Sequence, residues 1–363
     1  MKMKTLPYRD GFKIVADFEK KQAGYMLWPQ RPDNWRDGGK PAQRAFTQLA
    51  SKLSKYQPMT MLVNENQYKN ARSMLPVGVR VVELSSDDAF VKDTGPIYLQ
   101  SADGQQVRAV DFNFNAWGGL VDGLYFPWDK DNEVAKKLSE LDSIDYYEST
   151  LTLEGCSVVT DGDGTLLTTE DVILSEGRNK GLTKEVATEK LKETLGVSKI
   201  IWLSEGFYLD ETGGDIDNMV SFIAPGEIVL SWTEDKSDPQ YVSSHRAFEV
   251  LKQETDARGR HFRIHKLQIP TPLFLSKEEA NGVDPINGRL PRIAGQRLTA
   301  TYTSYVTTNR AIVLPEFGVA QDEMALEQMK KYYPDREVES IPAREFLTGG
   351  GGLHTVVLNV PGV

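Results

Sequence analysis

Four short stretches of the chain break the hydrophobic rhythm, three with a carboxylate beside glycine or a tight turn and one with four glycines. They are DDAFVKDTGP (Asp87–Pro96), LEGCS (Leu153–Ser157), DETGGDIDN (Asp210–Asn218) and the terminal GGGGLHT (Gly349–Thr355). Taken singly, each has a structural explanation. Asp93 and Asp210 suit turns, where an Asp side chain bonds its own backbone. Glu154 at a strand start can simply be solvated, and Cys156 can pack as a small apolar residue. Taken as a set they suggest function, because loop side chains held by a rigid scaffold commonly carry binding and catalysis. The charge balance narrows the partner. Lys plus Arg total 42 against 52 Asp plus Glu, a formal net charge of −10, so a cationic or neutral small molecule fits and a polyanion does not.

The four consecutive glycines cost about 0.5–1 kcal/mol each relative to alanine in regular structure, so the backbone there needs them for geometry. They precede a strand-like Thr-Val-Val-Leu run that starts at Thr355.

The elements that must position these loops follow from periodicity. Ala45, Phe46, Leu49, Leu53 and Tyr56 recur at helical spacing and predict an amphipathic helix over Pro41–Tyr56. Apolar runs predict strands at Met59–Asn64 and Val79–Ser85. Hairpins are predicted around the Asp-Gly turn after Gln100, around Asp161–Gly164, at Pro225-Gly226 and within Leu298–Phe317. Helices are predicted at Thr183–Gly196, from Ser243 and from Ala320, each followed by a strand. A unit of hairpin, helix and strand thus returns at spacings of about 60–80 residues, longer than the usual solenoid periods of roughly 20–50. That argues for pseudo-symmetric α/β modules around a common axis, with each chemistry-bearing stretch at the equivalent edge of a module. An α+β domain with unrelated hairpins is the alternative. No Pro/Ser/Gly-rich linker divides the chain, so a single domain over residues 1–363 is expected.

Composition excludes several classes. Hydrophobic residues at 40% and charged residues at 26% suit a soluble globular protein, and no apolar run approaches the roughly 20 residues of a membrane span. No basic stripe is present to neutralise phosphates, so nucleic-acid binding is not expected. One cysteine, Cys156, excludes a disulfide framework and any multi-cysteine zinc site, and four histidines exclude a histidine-rich metal centre. No metal or cofactor is expected. The N-terminal stretch lacks the apolar core of a secretory signal, which makes the cytoplasm the expected location.

Longer blocks carry a resemblance. MLWPQRPDNWRDGGKPAQRAF (Met26–Phe46), KDTGPIY (Lys92–Tyr98), FNAWGGLVDGLYFPWDKD (Phe114–Asp131), LLTTEDVILSEGRN (Leu166–Asn179), IAPGEIVLSWTED (Ile223–Asp235) and PEFG (Pro315–Gly318) resemble the agmatine deiminases of the guanidino-modifying pentein superfamily, over essentially the whole chain. The resemblance implies a five-bladed α/β propeller. It implies a reaction in which a cysteine thiolate attacks the guanidinium carbon of agmatine, ammonia leaves and water releases N-carbamoylputrescine, a step of polyamine metabolism. It also implies site residues: Asp93 and Asp217 as the carboxylates that grip the guanidinium, and Glu154 as the carboxylate that orients a catalytic histidine.

The two positions that make and break bonds depart from the family pattern. Where the family has a catalytic histidine this chain has Asp215, and where the family has its nucleophilic cysteine this chain has Thr355. Cys156 and Val159 replace a glycine and a histidine, and Lys92 replaces an arginine. The expectation is therefore a family member with impaired chemistry that keeps a carboxylate pocket for an agmatine-like cation, as a homo-oligomer. Two alternatives stand beside it: an active hydrolase re-supplied by Thr355, by Cys156 or by metal-activated water, and a structural subunit partnering an active homologue.

Overall fold

The structure is a computed structural model that describes residues 1–287 and 289–363. Five sheets form, and each repeats one pattern: two antiparallel strands, a helix, then a third strand parallel to the second. The first blade pairs Ile97–Ser101 with Val107–Asn113, runs through the helix Val134–Leu141 and returns as Tyr146–Thr152. The second uses Val158–Thr160, Thr165–Thr169, the helix Lys184–Leu195 and Lys199–Leu203. The third uses Val220–Ala224, Glu227–Trp232, the helix Gln240–Gln253 and Arg263–Gln268. The fourth uses Val306–Thr307, Ala311–Glu316, the helix Gln321–Tyr332 and Glu337–Pro342.

The fifth blade joins the two ends of the sequence. Leu358–Pro361 pairs antiparallel with Lys21–Leu27, which continues through the helix Lys40–Leu53 to the parallel strand Met59–Val63. Val79–Glu83 extends that sheet, and Phe12–Ile14 extends the first. The fold is thus the five-bladed α/β propeller that the resemblance implies, built from the recurring modules read in the sequence.

Local chemistry explains the units. The helix Lys40–Leu53 buries Ala42, Ala45, Phe46, Leu49, Ala50 and Leu53 on one face. At about 1.5–3 kcal/mol for each large side chain, that face fixes the helix on its sheet. The helix Lys184–Leu195 starts where the Thr183 hydroxyl accepts from the Val186 N–H, and it ends at Gly196, whose φ of 66° is the left-handed cap. Among the described residues, no helix is long and apolar enough to cross a membrane.

Two expected strands are shorter than expected. Residues 298–305 are irregular, although Leu298, Ala300, Thr301, Tyr302, Thr303, Ser304 and Tyr305 are all buried. Their β-like letters serve burial instead, and hydroxyls such as those of Thr301 and Thr303 bond each other. The terminal strand also begins later than expected, at Leu358, with turns from Gly349 through Val357. The glycines set that path through close approach. A Cβ on Gly349 would lie 2.1 Å from the Trp35 ring, and one on Gly352 would lie 2.0 Å from Ser304 Oγ.

Candidate functional site

Each blade contributes the segment just before its first strand. Asp93 lies in the short helix Val91–Thr94 ahead of Ile97–Ser101; Glu154 and Cys156 lie at the 3₁₀ turn Gly155–Ser157 ahead of Val158–Thr160. Asp215 and Asp217 lie at the 3₁₀ turn Ile216–Asn218 ahead of Val220–Ala224. Ser304 precedes Val306–Thr307, and His354 and Thr355 precede Leu358–Pro361. The four stretches singled out in the sequence do converge. Cys156 N–H donates to Asp93 Oδ1 at 2.9 Å, His354 Nδ1 lies 2.8 Å from Asp217 Oδ2, Lys92 N–H donates to Thr355 O at 3.1 Å, and His354 N–H donates to Ser304 Oγ at 3.4 Å.

A small cavity opens on this centre. Asp93, Trp117, Asp210, Asp215, Asn218 and Thr355 line it, together with the Gly350–Gly352 backbone. Trp117 Nε1 donates to Asp93 Oδ2 at 3.2 Å, and Ala116 and Trp117 hold φ of 54° and 63°. Two successive non-glycine residues in the left-handed region are strained, and such strain clusters where function needs a fixed side chain. Thr212 Oγ1 donates to Asp215 Oδ2 at 2.7 Å, while Asp215 Oδ1 is buried with no hydrogen-bond partner among the described residues. Asp210 accepts from the Asp215 N–H and the Asn218 side chain.

Behind the cavity, two ion-pair groups are neutralised internally, one buried and one partly exposed. The Arg178 Nε donates to both Glu154 oxygens, at 2.9 and 3.0 Å, and Ser157 Oγ donates to Glu154 Oε2. Glu154 therefore orients an arginine, not a histidine, because position 215 offers no imidazole to it. The second group is a chain: Asp217 Oδ2, His354 Nδ1, His354 Nε2 to Asp17 Oδ2 at 2.9 Å, and Asp17 Oδ1 to Lys92 Nζ at 3.1 Å. Asp217 faces His354 here and does not line the cavity, although it was expected to grip the ligand beside Asp93. Its Oδ1 is buried without a partner among the described residues.

Electrostatics divide the carboxylates. Burial, with Glu154 and Asp217 adding repulsion, pushes Asp93 up to about 7, against the opposing hydrogen bonds of Cys156. Burial also raises Asp210 to about 6, helped by Asp217, and holds Asp215 well above the usual carboxylate range, helped by Asp93. None of the three has a salt-bridge partner among the described residues. Burial and the Lys92 ammonium oppose charge on His354, yet the Asp17 and Asp217 carboxylates outweigh both and raise the imidazole to about 9. The Cys156 thiol, 1% exposed, is pushed well up by burial and then by Asp217, Asp93 and Asp215. Its Sγ lies 3.9 Å from His354 Nδ1.

Thr355 is 8% exposed, and its Oγ1 accepts the Gly352 N–H at 3.3 Å. No imidazole or carboxylate bonds that hydroxyl among the described residues.

Sequence reasoning placed Asp93, Glu154, Asp215, Asp217 and Thr355 at one centre but missed Asp17, Arg178 and Trp117 as parts of it. Arg178 and Trp117 lie inside the blocks that carry the family resemblance, and a buried glutamate such as Glu154 requires a cation partner. Asp17 gave no signal, since only closure of the fifth blade brings it to His354.

The sequence matches the family described as Porphyromonas-type peptidyl-arginine deiminase over residues 13–361. A Listeria monocytogenes protein named "Putative agmatine deiminase 2" is 52% identical over 99% of this chain and 97% of its own length. A Latilactobacillus sakei protein named "Putative agmatine deiminase" is 48% identical over 99% of this chain and 98% of its own. The solved structure of the agmatine deiminase of Enterococcus faecalis is 42% identical and superposes with a TM-score of 0.95, covering 98% of each chain. With fold, blade-edge geometry and whole-length similarity in agreement, the chain belongs to the Porphyromonas-type peptidyl-arginine deiminase family and is a homologue of its agmatine deiminases.

Proposed function

We propose that the protein binds a small guanidinium or aminoalkyl cation, agmatine by preference, against Asp93, Asp210 and Asp215, and that Thr355 does not turn it over. One observation carries the reading: three carboxylates line the cavity without a fixed counter-ion, while Glu154, Asp217 and Asp17 behind them are paired. Burial raises all three, Asp93 to about 7 and Asp210 to about 6, because no fixed cation offsets their charge. An entering cation supplies that charge, and a guanidinium adds paired N–H donors for bidentate contact with carboxylate. The Trp117 ring beside Asp93 offers an aromatic edge to the same cavity.

Position 355 carries the proposed lack of turnover. A hydroxyl ionises far less readily than a thiol and needs an adjacent base, and none bonds Thr355 Oγ1. The family reaction, agmatine and water to N-carbamoylputrescine and ammonia, would then stop at binding. A second reading rests on the 3.9 Å approach of Cys156 Sγ to His354, which gives a thiol and an imidazole for a relocated hydrolase. The raised thiol and its place outside the cavity lining count against it.

The test is thermal denaturation with agmatine and putrescine beside an ammonia assay on agmatine. Ligand at 100 times Kd stabilises by about 2.7 kcal/mol, so the melting temperature rises with agmatine, no ammonia exceeds the blank, and Asp93→Asn with Asp215→Asn removes the shift. Absence of any shift overturns the binding reading. Ammonia release overturns the proposed lack of turnover, and Cys156→Ala against Thr355→Ala then identifies the nucleophile.

A further inference from the structure

We propose that Cys156, Asp217 and His354 form a divalent metal site of the kind that takes Zn²⁺ or Co²⁺, beneath the cation pocket and distinct from it. The Cys156 sulfur, a His354 ring nitrogen and an Asp217 carboxylate oxygen lie within 4.8 Å of one another, and all three residues are buried. Thiolate, imidazole and carboxylate together are a donor set of borderline softness, which suits zinc and not magnesium or calcium. A tetrahedral zinc ion with bonds of about 2.3 Å to sulfur and 2.0–2.1 Å to nitrogen sets S···N near 3.6 Å. Cys156 Sγ and His354 Nδ1 are already 3.9 Å apart, so a few tenths of an ångström of side-chain movement closes the gap.

Two further observations point to a ligand. Asp217 is 3% exposed and its Oδ1 is buried with no hydrogen-bond partner among the described residues. A carboxylate oxygen in that state is costly unless a proton or a metal ion meets it. The second is the setting of His354. Its Nε2 faces Asp17 Oδ2 at 2.9 Å, and Lys92 holds the other Asp17 oxygen. Carboxylate on one ring nitrogen and metal on the other is how metal-bound histidines are oriented. Asp17 is thus a positioning residue, and His354 Nδ1, 2.8 Å from Asp217 Oδ2, is the nitrogen that faces the other two ligands.

The charge balances. Without metal, both His354 ring nitrogens face carboxylates. A dication that takes Nδ1 and the thiolate displaces one proton from each, so two positive charges enter as two leave.

Cys156 is the only cysteine in the chain, which makes the test direct. The full-length protein, stripped with chelator, is titrated with Co²⁺ alone and followed in the near-ultraviolet, where thiolate-to-cobalt charge transfer absorbs. The expected result is one equivalent of Co²⁺, a charge-transfer band that Zn²⁺ displaces, and no band in Cys156→Ser. His354→Gln lowers affinity at least tenfold, and Asp17→Asn lowers it 10–100-fold while keeping the band. Wild-type protein that gives no charge-transfer band overturns the proposal without reference to any variant. So does a Cys156→Ser protein that binds Co²⁺ as tightly as wild type. Melting of each metal-free variant shows whether weaker binding reflects lost ligands or lost fold, and neither arm involves agmatine.

Discussion

At the scale of single residues, much of this site was legible because its side chains sit in stretches that break the hydrophobic rhythm. Asp93, Cys156, Asp217 and His354 all lie within four such stretches, and they meet. What was not legible is pairing across blades. Nothing near Glu154 in the sequence announces Arg178, 24 residues on, and nothing announces that Asp17 reaches His354 337 residues away. The glycines make a sharper case, since the cost read from the sequence gains a specific cause. Gly349 lies against Trp35, itself 1% exposed and stacked on Phe90, so the ring has no free direction in which to yield. Gly349→Ala is therefore expected to destabilise by about 1–3 kcal/mol, the usual range for overpacking. Gly78→Ala is the control. A Cβ there meets nothing within 4 Å and its φ is not left-handed, so its stability should stay within about 0.5 kcal/mol of wild type. Urea denaturation of the two variants checks the contrast, and equal losses would refute the steric account.

At the scale of elements, hairpins marked by Asp-Gly and Pro-Gly and helices marked by 3.6-residue spacing were readable, because turn chemistry and amphipathicity are local. Residues 298–305 misled for the converse reason: β-branched and aromatic letters mark burial as well as strand, and tertiary packing chose an irregular path. Side-chain locks between elements are likewise invisible in the sequence, and one has a pH signature. The short helix Lys277–Asn281 starts at a capping box in which the Ser276 N–H donates to Glu279 Oε2 and the Glu279 N–H donates to Ser276 Oγ. Arg344, at the start of the helix Arg344–Thr348, binds Glu279 bidentately at 2.6 and 2.8 Å. Burial works against the Glu279 charge, but the Arg344 and Ser276 hydrogen bonds outweigh it and hold the carboxyl down at about 2, from 4.5. A lowered folded-state value stabilises above the unfolded value and loses that contribution as pH falls from about 4.5 through 2. The full shift would amount to roughly 3 kcal/mol at 1.36 kcal/mol per unit. Because the Arg344 side chain is 40% exposed, solvent screening reduces this to about 1–2 kcal/mol. Glu279→Gln should cost that much at pH 7, with the difference vanishing near pH 2. A cost that persists unchanged across chemical denaturation curves at both pH values would rule the ion pair out as its source.

At the scale of the whole molecule, the repeat of hairpin, helix and strand was legible as a period, but closure of the ring was not, since it pairs the last strand with one near the start. The site depends on that closure: His354 and Thr355 are delivered by the loop that Leu358–Pro361 anchors on Lys21–Leu27. Magnitudes suggest how strongly. Val356, Val357, Leu358 and Val360 are each no more than 4% exposed, and losing four such side chains forfeits roughly 6–12 kcal/mol at 1.5–3 kcal/mol each. A typical net stability is about 5–15 kcal/mol, so deletion of residues 356–363 removes an amount comparable to the whole. The strand Lys21–Leu27 would lose its antiparallel neighbour as well, leaving buried backbone donors and acceptors unpaired. If the five blades unfold as one unit, the deleted chain should show no cooperative melting transition. The single substitution Val360→Ala, milder by design, should lower the same transition without broadening it or splitting it in two. Circular dichroism against temperature reads both. A truncated chain that melted at the full-length temperature would show that the ring does not need its clasp, and a split transition in Val360→Ala would show that the blades unfold separately.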